Sequence, residues 1–298
     1  MTESERFTFD LSGFLVRPGI LTAEQVSEIR GQVIAINKNP TSLPPEHRNV
    51  PGGPASLLID HPAVIGVLEE IIGPEIRLES PGCVVREQGQ RHGELHSGGP
   101  RQIDPIFGYR TQDGRIHAGM VRVIFELSEI RKGDAATHFL AGSHKASFPV
   151  DPSHLSLEPG QRSPFLVSYE CPAGSAVFFT ENVCHAGPVW ERADPRVTIL
   201  HAYSHLATHW HRLNVPPVVL QSLPREKMAY FREPWIADFS SLERREKGGA
   251  GSVHNTAERF IDKTGFDDLI DTSHNAPPGD ALVWQDSQAA LNAVKPKL

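Results

Sequence analysis

The chain has 298 residues, with 36 acidic and 29 basic side chains and a formal net charge of −7. Its 39% hydrophobic and 22% charged content is that of a globular protein, which excludes a disordered chain, and the acidic balance excludes a general binder of nucleic-acid polymers, which needs clustered Lys and Arg. Three cysteines (Cys83, Cys171, Cys184) cannot build a disulfide framework, and no apolar run approaches the roughly 18–20 residues that span a bilayer, so a cytoplasmic protein with no membrane partner is expected.

Met1 to Arg6 is polar, without the apolar stretch of a secretory leader. Gly13-Phe14-Leu15-Val16 reads as a short strand leaving a turn. Thr22-Ala23-Glu24-Gln25 has the pattern of a capping box, and Val26, Ile29, Val33 and Ile36 then recur at helical spacing. A second helix is predicted from Pro62 to Ile72, with Val64, Val67, Leu68 and Ile71 on one face and Gly73-Pro74 as its stop. From residue 76 the pattern becomes that of short strands. Ile76 to Glu79 alternates, and Cys83-Val84-Val85 follows a Pro-Gly turn. Asp113-Gly114 joins two β-like runs as a hairpin. Met120 to Leu127, Phe165 to Tyr169, Ala176 to Phe179 and Val197 to Tyr203 are further strands. With 25 Gly and 25 Pro between them, these runs predict a mostly β sandwich or barrel with flanking helices. Arg225 to Phe231 and Ala257 to Asp262 have helical character, and the charged, Gly-rich stretch from Leu242 to Ser252 reads as a connection. The expected organisation is one domain over residues 1–240 and a partly flexible extension over 241–298.

Fifteen histidines raise the question of metal binding. In Arg91-His92-Gly93-Glu94-Leu95-His96-Ser97-Gly98-Gly99, an extended chain would place residues 92, 94, 96 and 98 on one face. His185 follows the strand Ala176 to Phe179, and Arg196 and Thr198 share a face of the next strand. A non-haem Fe(II) centre needs imidazoles and open positions, and a dicarboxylate cosubstrate needs a charged fork for its distal carboxylate. His185, Arg196 and Thr198 satisfy those demands.

Several segments carry a family resemblance. These are Phe9-Asp-Leu-Ser-Gly-Phe-Leu-Val16 before the Leu-Thr-Ala-Glu-Gln-Val helix, Ala141-Gly-Ser-His-Lys145, the block of His185, Gly187-Pro188 and Arg196, and Leu223-Pro-Arg225. In order and spacing the chain resembles the phytanoyl-CoA dioxygenase-like Fe(II)/2-oxoglutarate enzymes over roughly residues 7 to 235. The resemblance implies a double-stranded β-helix, a jelly roll of the cupin kind. It also implies iron held by a His-x-Asp pair and a distal His, with Arg196 as the 2-oxoglutarate arginine and His185 as the distal ligand.

The first motif departs from that pattern, and two registers compete. His96-Ser-Gly98 has glycine where the carboxylate belongs, and its 89-residue separation from His185 suits the family. His92-Gly-Glu94 would be a His-x-Glu variant. With Gly98 in place of the carboxylate, a halide takes the vacated position, as the resemblance to the halogenase branch implies. The cofactor set is then Fe(II), 2-oxoglutarate, O₂ and chloride. The reaction is decarboxylation of 2-oxoglutarate to succinate with chlorination of an unactivated carbon of a small molecule. A nucleotide is one substrate class that branch implies, with Arg101, Arg110, Arg115 and Lys145 as candidate phosphate partners. Loops 38–56 and 97–118 and the C-terminal segment are expected to set specificity. A hydroxylase using Glu94 is the alternative, and a non-catalytic ligand-binding protein is the rival from another class. His205, His209 and His211 lack the Glu of a helical His-Glu-x-x-His zinc motif and read as pocket or surface groups. His144 reads as a loop brace and Cys184 as a packed thiol.

Overall fold

The computed structural model describes residues 1–97, 107–158, 160–211 and 213–232. Gly98, Arg101, the Ala257–Asp262 helix and the extension expected over 241–298 lie outside the described residues. The chain opens with α1 (Glu3–Ser12), then β1 (Phe14–Arg17), α2 (Ala23–Lys38) and α3 (Pro62–Ile71). Strands β2 (Ile76–Arg86), β3 (His92–His96), β4 (Tyr109–Gln112), β5 (Arg115–Ala118) and β6 (Met120–Glu126) follow. Next come β7 (His138–Leu140), β8 (Leu166–Val167), β9 (Ser175–Thr180), β10 (His185–Gly187) and β11 (Arg196–His205). Two short helices, α4 (Pro217–Ser222) and α5 (Arg225–Met228), end the described chain.

Five antiparallel strands form one sheet in the order β1-β9-β6-β11-β2, and four form the other in the order β3-β10-β7-β8. This is the expected double-stranded β-helix, with the β4–β5 hairpin beside it. Alternation along the strands sorts the larger sheet into two faces. Val121, Val123 and Phe125 of β6 and Val197 and Ile199 of β11 face outward and pack with Ile29 and Val33 of α2 and Val64, Val67, Leu68 and Ile71 of α3. Burying each of these apolar side chains is worth roughly 1.5–3 kcal/mol. The helices therefore seal the outer face and leave the inner face for chemistry.

Both predicted helix starts hold, and the Thr22 box is closed in both directions by Gln25. Helix α1 was not expected. Its own capping box, Thr2 with Glu5, is equally complete, but only Phe9 is buried, so no apolar stripe announces it. Pro81-Gly82 does not turn the chain. It lies inside one eleven-residue strand whose Gly82 pairs with Leu200, and a bulge near Ala202 absorbs the irregularity. At the hairpin, Asp113 (φ 52°) and Gly114 (φ 72°) both adopt the left-handed conformation that a two-residue turn requires. Among the described residues no helix is long and apolar enough to cross a membrane.

The Gly-Ser-His-Lys segment is a brace. His144 is fully buried, lies edge-on to Tyr109 with centroids 4.4 Å apart, and donates from Nε2 to the Asp10 carbonyl at 3.1 Å. The Asp10 carboxylate accepts from Tyr109 and from Lys145, which locks the end of α1 to this loop. Lys145 is thereby committed to Asp10, and Arg115 lines a groove with Arg6 and Glu70, so neither reaches the central cavity. Arg110 is exposed on the hairpin.

Burial, and then the Lys145 charge, push His144 down to about 4 from an ordinary 6.5. The native state binds fewer protons than the unfolded chain between those values. The stability this adds is complete above pH 6.5 and is lost as pH falls toward 4. His144→Gln keeps a donor for the Asp10 carbonyl and removes the titration. Unfolding free energies from urea titrations at pH 7 and pH 4.5 should then differ by about 2 kcal/mol less than in the parent protein; an unchanged difference would assign the acid sensitivity elsewhere.

Candidate metal and cosubstrate centre

Between the two sheets lies a cavity of about 180 Å³, lined by inward residues of β2, β6, β9, β10, β3 and β11. Arg196, Thr198 and Leu200 enter it from one face of β11, and Val84 and Arg86 from β2. Arg122 and Ile124 come from β6, and Phe179 from β9. The exposed His96 marks its mouth, and the buried Arg86 and Arg196 form its floor.

His96 and His185 face each other as partners across β3 and β10, with ring centroids 4.5 Å apart. The His185 Nδ1 lies 2.8 Å from the Val183 carbonyl and the His96 Nδ1 lies 2.6 Å from the Glu94 carbonyl. A carbonyl only accepts, so each Nδ1 carries the hydrogen and each Nε2 keeps its lone pair. Metal-binding imidazoles are oriented in this way. Burial pushes His185 down to about 4, so it is neutral and ready to ligate near pH 7. Two imidazoles sharing one cavity, each held through its Nδ1, fit a divalent metal ion. Among the described residues no group of three His, Cys, Asp or Glu is placed to hold one.

The alternative pair, His92 with Glu94, is not brought together. His92 lines the cavity opposite Gly187. The Glu94 carboxylate is 74% exposed and pairs with Arg91 outside it. Gly93 (φ 78°) breaks the alternation that would have put residues 92, 94 and 96 on one face.

Arg196 is buried and forked onto Glu126. Its Nε donates at 3.2 Å to one carboxylate oxygen and an Nη to the other. The same Nη donates to Tyr169 Oη at 2.9 Å and Thr137 Oγ1 at 3.2 Å, while Tyr169 itself donates to Glu126 at 2.6 Å. Burial works against the Arg196 charge, but Glu126 and Tyr169 more than restore it. Sequence patterning missed Glu126, Tyr169, Arg86 and the Arg122–Glu181 ion pair that also lines the cavity. Glu126 and Arg122 read only as part of an ordinary strand. Their spacing of four on β6 was the available signal of a shared face.

Gly187 has a steric role beside this floor. A Cβ there would stand 2.6 Å from an Arg86 Nη and 2.8 Å from the His92 carbonyl. Cys184 is buried, with its thiol pushed up to about 11, and is a packed group. His211 lies on the buried Glu79 carboxylate at 3.1 Å and not in a metal cluster.

No family model and no curated protein matches the chain. Solved structures do. HygX from Streptomyces hygroscopicus with iron bound has a TM-score of 0.57 at 21% identity, over 87% of this chain and 99% of that one. HygX with nickel and 2-oxoglutarate bound matches at 0.57 and 21%, over 72% and 90%. HygX with nickel, 2-oxoglutarate and hygromycin B bound matches at 0.57 and 20%, over 87% and 100%. This chain shares that fold.

Glu126→Gln would leave the Arg196 charge buried without its partner. The expected cost is about 3–5 kcal/mol in a urea unfolding series, as for other broken buried pairs. A cost below about 1 kcal/mol would mean that water already reaches this end of the cavity.

Proposed function

We propose that this protein is an Fe(II)/2-oxoglutarate-dependent halogenase acting on an unactivated carbon of a small molecule. The observation that carries the reading is the His96–His185 pair, each with its Nε2 free, in a cavity whose floor presents Arg196 and Thr198. His96 and His185 would hold the iron, and Arg196 with Thr198 would take the distal carboxylate of 2-oxoglutarate. Gly98, two residues beyond His96, would leave the carboxylate position to chloride. The Glu94 side chain is turned to Arg91, which favours the His96 register over the His92–Glu94 one. The fold shared with HygX, which binds iron, nickel and 2-oxoglutarate, supports the cofactor assignment, and its complex with hygromycin B supports a small-molecule substrate.

When bound, iron with 2-oxoglutarate and O₂ supplies the oxidant that takes a hydrogen atom from the substrate. The chain's own groups prepare the site. Val183 and Glu94 carbonyls fix the two imidazole tautomers. Glu126, Tyr169 and Thr137 hold the Arg196 fork in one orientation. Ile124, Phe179 and Leu200 give the cavity an apolar wall that limits water around a reactive intermediate.

Under strict exclusion of O₂, Fe(II) and 2-oxoglutarate should give the visible charge-transfer band of the chelate. The band should shift saturably with chloride and not with a non-coordinating salt at equal ionic strength. Glu94→Ala should keep the band and His185→Ala should lose it. Gly98→Asp should keep the band and abolish halogenation. Loss of the band in Glu94→Ala, or full halogenation by Gly98→Asp, would turn the assignment to a hydroxylase or remove the halide site.

A further inference from the structure

Three guanidinium groups line the cavity: Arg86, Arg122 and Arg196. Arg122 is paired with Glu181, and Arg196 with Glu126. Arg86 differs. It is 2% exposed, and its two Nη atoms donate to the Pro188 carbonyl, at 2.8 Å, and to the Ala135 carbonyl. Among the described residues no carboxylate pairs with it. It stands directly across the strand register from Arg196, with its guanidinium 5.6 Å from the Trp190 ring centroid. Gly187 leaves the space that this guanidinium fills.

A buried cation bonded only to neutral carbonyls is costly unless an anion arrives. The Arg196–Glu126 pair is neutral as a unit. If it alone received a carboxylate, the floor would hold a net negative charge in a poorly solvated place. With Arg86 beside it, the floor is cationic before the ligand enters and neutral afterwards.

We infer that Arg86 supplies the charge that retains the distal carboxylate of the 2-oxo acid, while Arg196, locked by Glu126, supplies its direction. This rests on the 2-oxoglutarate reading of the cavity and adds a second anchoring residue to it. Burial, and then the Arg196 charge, lower the Arg86 pKa to about 10, and the nearby Glu126 charge, which is paired with Arg196, only partly offsets them.

The test compares two ligands. 2-Oxoglutarate carries the distal carboxylate, and 2-oxobutanoate keeps the chelating end without it. Binding to the Fe(II)-loaded protein is followed anaerobically by calorimetry, with no turnover. Arg86→Met should weaken 2-oxoglutarate by 10- to 100-fold, about the worth of one charged hydrogen-bonding partner, and leave 2-oxobutanoate unchanged. Arg86→Lys should retain most of the preference for 2-oxoglutarate, and Arg86→Gln should lose it. The Lys and Gln pair decides the matter if the Met variant does not fold. Equal weakening of both ligands would make Arg86 a structural tie between Pro188 and Ala135 and overturn the inference. So would an undiminished preference in Arg86→Met or Arg86→Gln. A parent protein that binds 2-oxobutanoate and 2-oxoglutarate equally would also overturn it, with the metal site intact. A parent that binds neither would remove the functional reading itself.

Discussion

The hydrogen-bond network centred on the buried Glu126–Arg196 ion pair ties the two sheets together. Both residues sit on adjacent strands of the larger sheet, and Tyr169 and Thr137, which complete the network, come from segments flanking the smaller one. A charge pair in such a place does not add much stability over an apolar substitute, because both partners must first lose their water. Its worth is geometric. Five hydrogen bonds among four side chains fix the distance and tilt between the sheets at the end where the cavity closes. The helices can then cover the outer face without collapsing the interior.

The cavity's electrostatics follow from that arrangement. One guanidinium is spent on a carboxylate of the protein, and another is left facing carbonyls. Apolar side chains of Val84, Ile124, Phe179 and Leu200 share the cavity wall with this polar floor and the histidines. Under the proposed reading such a site would receive a ligand with an anionic end and a metal-chelating end, and the cavity draws both sets of groups from strands far apart in sequence.

Much of this was legible in the residues. The helices at Ala23 and Pro62, the Asp113-Gly114 hairpin and the long strands around Met120 and Val197 follow from capping, turn and alternation chemistry. His185, Arg196 and Thr198 were visible because they flank recognisable strands. What was not legible depends on register and on single backbone angles. Nothing local says that Arg86 faces Arg196, or that Glu126 reaches across to the fork. Gly93 looked like a spacer between two candidate ligands, yet its positive φ decides which of their neighbours turns outward. Pro81-Gly82 looked like a turn because those residue types usually make one, and strand pairing along their whole length overrode that preference.

The facing of His96 and His185 has a consequence for how the protein holds together. Among the described residues β3 is the edge strand of the smaller sheet, and β10 is its only partner there. An ion shared by those two imidazoles would act as a clasp between segments 89 residues apart, closing a loop that runs from β4 to β9. Binding only to the folded arrangement, such a clasp converts metal supply into conformational order at the rim. The edge at the cavity mouth would then be the part of the barrel whose firmness varies with the availability of that ion.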